Sequence, residues 1–147
     1  MSVIVDLATE LASAIDDLEI FSTEAVVEMI PSYDTTSTTD VKVVVTPSES
    51  NYERAGRLDF KHELSLLVSV YQYVGNTEVE SVEELIDKME QLALDFANAT
   101  LDVDDVTYVV TNTYIDALYD STQLEQNFVY SGMMTLTFTR VGMLSES

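Results

Sequence analysis

The stretch from Leu58 to Tyr73 alternates in polarity with a period of two. Leu58, Phe60, His62, Leu64, Leu66, Val68 and Val70 fall on one side. Arg57, Asp59, Lys61, Glu63, Ser65 and Ser69 fall on the other. Successive side chains point to opposite faces in an extended chain. The segment is therefore predicted to be one long β-strand, with one face on a core and the other toward solvent or a neighbour. Such a strand cannot bury its apolar face alone, so the rest of the chain must supply partner strands and a covering layer.

Both are legible. Val41 to Thr46 is valine-rich and is predicted to be a strand stopped by Pro47, which has no amide hydrogen to donate. Thr23 to Ile30 reads as a short strand ended by Pro31, and the polar run 32–40 as a loop. Residues 48–57 read as an exposed loop or hairpin arm. Val106 to Tyr114 and Phe128 to Val141 read as two further strands, the last with Thr135, Thr137 and Thr139 in a row and Gly132 marking a bulge. The segment 115–126 reads as polar and turn-like, and the last residues as a loose tail.

Two segments carry the helical period instead. Ile4, Leu7, Ala8, Leu11, Ile15 and Leu18 form a stripe over residues 2–20, with Ser2 as a candidate cap. Val82, Leu85, Ile86, Met89, Leu92 and Phe96 form a second over 81–96, where Ser81 and Glu84 have the spacing of a capping box. The expected architecture is α+β. It is a single domain over 1–147, a two-layer arrangement of a mostly antiparallel sheet of four to five strands, the long strand central, with two helices on one face. No internal repeat or low-complexity segment interrupts it.

Charge limits the functions open to this fold. There are 27 acidic residues against 6 basic ones, a formal net charge of −21. That disfavours binding to DNA or anionic membranes, which requires basic patches. It leaves a solvated acidic surface, an acidic wall along which DNA passes without sticking, or an imitation of nucleic acid that occupies a basic partner. The N-terminus lacks a basic region ahead of its apolar residues, and no apolar run approaches the roughly 20 residues of a membrane span. The expectation is a soluble protein made inside the cell, with no membrane association. Without cysteine there is no disulfide, thiolate nucleophile or thiolate metal site.

Groups able to do chemistry are few. The one histidine, His62, lies on the apolar face of the long strand and reads as a hydrogen-bonded core residue rather than a base. Four glycines form no phosphate-cradling loop. Asp102, Asp104 and Asp105 begin like a calcium loop, but Thr107 stands where such a loop needs glycine and Thr113 where it needs glutamate, so they read as a solvated turn. Asn98-Ala-Thr100 fits a glycosylation sequon without a secretion signal to support its use. Neither an enzyme nor a cofactor or metal site is expected.

The segment Glu24 to Tyr73 resembles the tail terminator, or tail completion, family of long-tailed phages. The resemblance rests on Glu24-Ala-Val-Val-Glu-Met-Ile-Pro31-Ser-Tyr33-Asp34, on Asp40-Val-Lys-Val-Val-Val-Thr-Pro47, on Glu53-Arg54-Ala-Gly-Arg57 and on the long strand from Phe60. The later acidic helix and the strand Phe128–Arg140 follow in the same order, so nearly the whole chain is covered. The motifs are loose patterns of strand, proline and arginine. The resemblance implies a non-catalytic virion protein that forms a hexameric ring on the head-proximal end of the tail tube. Such a ring stops tube polymerisation and meets the head connector. The implied partners are further copies of the chain, the tail tube protein and the connector or neck protein. DNA passes through the channel without specific binding. The implied location is the virion tail or neck, and the host cytoplasm during assembly. By matching position, Arg54, Arg57, Tyr33 and Asp34 are the candidate subunit or tube contacts. Alternatives are another head–tail or neck component, an acidic binding module like a DNA mimic, and an acidic metal-dependent enzyme using Asp102, Asp104 and Asp105.

Overall fold

The computed structural model describes residues 2–31, 40–54, 59–141 and 144–145. The chain runs α1 (Val3–Asp17), β1 (Val26–Val27), β2 (Lys42–Arg54), β3 (Asp59–Tyr73), α2 (Val79–Phe96), β4 (Thr100–Val103), β5 (Val106–Ala117), α3 (Ser121–Asn127), β6 (Val129–Arg140) and β7 (Leu144–Ser145). The sheet order is β1-β2-β3-β6-β5-β4, and β7 pairs with the start of β3. Only the β1–β2 pair is parallel. The fold is α+β and mostly antiparallel, with β3 inside the sheet between β2 and β6.

The expectation of four to five strands and two helices is corrected: the path has six strands plus β7, and there are three helices among the described residues. The missed strand β4 pairs with β5 in a two-residue hairpin. Its turn residues Asp104 and Asp105 take φ of 49° and 66°, the positive values that a type I′ turn requires. The missed helix α3 starts where the Asp120 carboxylate accepts from the amides of Thr122 (2.9 Å) and Gln123 (3.1 Å). β2 does not stop at Pro47 but runs on to pair with β3 as far as Arg54 opposite Phe60. Proline is tolerated there because the flanking β1 has ended and the register slips between Pro47 and Glu49. The expected strand at 23–30 shrinks to Val26–Val27.

Two caps also differ. Ser2 occupies the N-cap of α1 without a side-chain bond to the helix. α2 begins two residues before Ser81, with Glu78 at its N-cap, so the Ser81–Glu84 box does not form the start.

Helices and sheet share one core. Leu7, Leu11 and Ile15 of α1 pack with Val82, Leu85, Met89 and Leu92 of α2 against Val43 and Val45, Leu64, Leu66, Val68 and Val70, and Met134, Leu136 and Phe138 of the sheet. Leu124 of α3 joins the same cluster. Each fully buried Leu, Met or Phe stabilises the fold by about 1.5–3 kcal/mol relative to exposure, so this face dominates stability. Asp16 ties α1 to the strand that follows by accepting from the Ala25 amide at 2.7 Å.

Candidate interaction face

The helices lie on one side of the sheet, and the other side carries the polar half of each alternating strand. Ser65, Thr135, Thr137 and Thr139 are half-buried there. Their hydroxyls pair across strands: Ser65 Oγ lies 3.3 Å from Thr137 Oγ1, and Thr111 Oγ1 lies 2.9 Å from Thr139 Oγ1. Thr135 Oγ1 donates to Asp116 Oδ2 at 2.7 Å. Such cross-strand hydroxyl pairs give the middle of this face a polar surface with little charge. Toward β2 the same face buries Val44, Thr46 and Ser69. Thr46 Oγ1 and Ser69 Oγ have no hydrogen-bond partner among the described residues.

Acidic groups gather on the opposite side. Glu10, Asp17, Glu80, Glu83, Asp87 and Glu90 stand exposed on or beside α1 and α2. The three lysines are each engaged by a carboxylate: Lys42 with Glu28 (2.9 Å), Lys61 with Glu63 (2.9 Å) and Lys88 with Glu84 (3.3 Å). These surface pairs contribute about 0–1 kcal/mol each. Their consequence is charge segregation, with a strongly acidic helical layer backing a nearly neutral sheet face.

A cross-strand row closes the far end of the core. Tyr52 is paired with His62, and Tyr108 with Arg140, on adjacent strands. The His62 ring stacks on Tyr52 (4.0 Å between centroids, 9° between planes) and meets Tyr108 edge-on at 6.0 Å. Its Nε2 lies 3.2 Å from Ser50 Oγ. His62 is thus a buried, hydrogen-bonded core histidine. Burial, and secondarily the Arg140 guanidinium, lower its pKa below the usual 6.5. Arg140 Nε and Nη1 are buried without an acceptor among the described residues.

This arrangement predicts a pH effect. A group whose folded pKa is depressed binds its proton more readily in the unfolded chain. Its contribution is complete above the unfolded pKa of about 6.5 and is lost as pH falls from there toward the folded value. Wild-type stability is expected to fall between pH 7 and 5 more steeply than that of His62→Gln. Urea midpoints read the difference, and parallel pH profiles for the two proteins would refute the assignment.

The sequence-derived contact residues are only partly placed. Arg54 is the last residue of β2, near the tip of the β2–β3 hairpin. Arg57, Tyr33 and Asp34 lie outside the described residues. Asp102, Asp104 and Asp105 belong to the β4–β5 hairpin, where Asp102 Oδ1 accepts from Thr107 Oγ1 at 2.6 Å. Among the described residues no group of three or more histidine or acidic side chains is set to hold a metal. A cleft of about 440 Å³ is lined by Gln72, Tyr73, Glu80, Glu84 and Lys88, among others. No helix of the described residues is long and apolar enough to cross a membrane.

No family model matches the chain, and no curated protein does. Twenty-two chains of solved structures are similar to it. One of them aligns with a TM-score of 0.50 at 9% sequence identity, over 94% of this chain and 92% of that chain. At that identity the likeness shows the fold alone. Fold and face together define a class: an α+β protein with a one-sided helical layer, a neutral sheet face and a strongly acidic back.

Proposed function

We propose that the protein is a ring-forming structural subunit of the tail terminator kind. In this reading copies assemble head-to-tail into a ring, hexameric by resemblance, at the head-proximal end of a tail tube. The ring stops tube growth and meets the head connector, and it performs no catalysis. The observation that carries the reading is the state of the sheet margins. β1 covers only Val44 and Val45 of β2, and β4 covers β5 only as far as Val109. Beyond these points residues 47–54 on one margin and 111–117 on the other have no flanking strand among the described residues. Long strands with unpaired margins invite pairing or covering by another chain. Margins on opposite sides of one sheet suit a heterologous contact, which closes into a ring when its rotation permits.

Arg54 and Arg57 remain the proposed subunit or tube contacts of this reading, and Tyr33 and Asp34 the secondary candidates. The acidic helical layer has a use in it as well, because carboxylates along a DNA channel repel phosphate and limit sticking. The second reading is an acidic binding module that occupies a basic partner, favoured by the segregation of carboxylates onto the helices.

Light scattering at low and high salt, with negative-stain images, tests the first reading. Rings of about six subunits with a central hole are expected by the resemblance. A monomer at both salts that also fails to cap preformed tail tubes sinks it and leaves the binding module.

A further inference from the structure

The sheet carries an exposed apolar patch at each of its two margins, and these patches have different shapes. At the β1 margin Met29 and Ile30 are 67% and 82% exposed, with Val26 beside them. They follow a two-residue strand, at a place where the chain leaves the sheet. At the other margin Tyr114 is 60% exposed near the end of β5, and Leu118 and Tyr119 follow it, exposed as well. Tyr130 holds that second segment down, since its hydroxyl donates to the Leu118 carbonyl, while the Asp120 amide donates to the Ser131 carbonyl at 2.9 Å. The first patch is a pair of aliphatic knobs. The second is a ledge of two tyrosines and a leucine.

Charge selects what can cover them. Two copies of a chain at −21 repel wherever their helical layers approach. The ledge continues from Val106–Ile115, a run with no charged residue, with Asp116 and Asp120 exposed at its end, and Met29-Ile30-Pro31 is uncharged beside Glu28, which Lys42 holds at 2.9 Å. At these margins a second copy meets fewer carboxylates than at the helical layer, so repulsion between copies is least there. The patches lie on opposite edges of one sheet and are not alike, so one copy's knobs fit the next copy's ledge rather than their own image.

We infer that Met29 and Ile30 of one copy dock on Tyr114, Leu118 and Tyr119 of the next, and that this contact is the repeating junction of the assembly. The inference rests on the ring-forming reading and assigns its two halves. Aromatic and aliphatic anchors at the centre of an interface carry most of its association energy.

The test uses Ile30→Glu and Tyr114→Glu, both at exposed positions where the fold is retained, as circular dichroism will check. Each variant alone is expected to lose rings, with association weakened about a hundredfold or more. Leu94→Glu, an exposed leucine on α2 away from both patches, is expected to assemble like wild type. An equimolar mixture of Ile30→Glu and Tyr114→Glu retains one intact knob and one intact ledge. It is expected to give dimers and no rings. Rings from either variant alone, a mixture that stays monomeric, or loss of assembly in Leu94→Glu overturns the assignment. If wild type assembles only on tail tubes, the same variants are scored by tube capping. A wild type that neither assembles nor caps overturns the ring-forming reading itself, whatever the variants do.

Discussion

Gly132→Ala is expected to destabilise the fold by about 3 kcal/mol, although it adds a single methyl group. A Cβ at Gly132 would sit 2.6 Å from the Tyr130 hydroxyl oxygen and 3.0 Å from the Leu118 carbonyl oxygen. Residues 130 and 132 project from the same face of β6, and the Tyr130 ring lies across the glycine to reach Leu118. Tyr130 is fully buried, and burial holds its phenol protonated far above the ordinary range. The ring therefore has nowhere to swing. Overpacking a buried site costs about 1–3 kcal/mol. A hydroxyl and a carbonyl left without each other cost about 1–3 kcal/mol more. Urea unfolding measures the sum. In Tyr130→Phe the hydroxyl is gone, so the added methyl is expected to cost at least about 1 kcal/mol less, which a double-mutant cycle reads as coupling. A Gly132→Ala protein within about 0.5 kcal/mol of wild type contradicts this account. Because the same tether positions Leu118 and Tyr119, the variant should also weaken assembly at temperatures where it remains folded.

What the sequence conveyed follows from which signals are local. β3, β6 and the two long helices were legible because each buries one face, and burial imprints a period on the residue order. His62 was legible in the same way, since its place in the alternation fixes its side of the sheet. The failures occurred where one element's meaning depended on another. Pro47 reads as a terminator in isolation, yet β2 continues because β1 has already ended beside it. The β4–β5 turn is built from Asp104 and Asp105 without glycine, so it carried no hairpin signature despite its positive φ values. α3 buries only Leu124, too little to leave a period, and Asp120 was its one readable cue. Gly132 looked like a bulge. The register slips instead on β5, between Ile115 and Ala117, and glycine is needed for the close approach of Tyr130.

The interaction face was the least legible part. The threonine row was visible, but which apolar residues remain uncovered was not. Met29 and Ile30 end an apolar strand pattern identical to one that would be buried, and only the shortness of β1 leaves them exposed. Arg140 ends the apolar alternation of β6, and its neighbours in the row come from β2, β3 and β5, far away in the chain.

Raising the salt concentration is expected to strengthen assembly, by roughly a hundredfold per junction between 0.1 M and 1 M. Two subunits of this length sit about 30 Å apart centre to centre, near twice the radius of gyration. Charges of −21 at that distance repel by about 60 kcal/mol in unscreened water. A Debye length of about 10 Å at 0.1 M leaves about 3 kcal/mol of this, and about 3 Å at 1 M leaves almost none. The released 3 kcal/mol corresponds to roughly the stated factor. Cross-copy ion pairs do not reverse the sign: the three lysines are held by carboxylates of their own chain, and the arginines, the proposed contacts Arg54 and Arg57 among them, are few against 27 acidic residues. The acidic binding module predicts the opposite trend, since capture of a basic partner weakens as its charges are screened. Sedimentation across a salt series, of the protein alone and mixed with a basic DNA-binding protein, therefore separates the two readings. Assembly that tightens with salt fits apolar junctions between mutually repelling copies, and assembly that dissolves with salt requires cations at the contact and removes the knob-and-ledge junction as its basis.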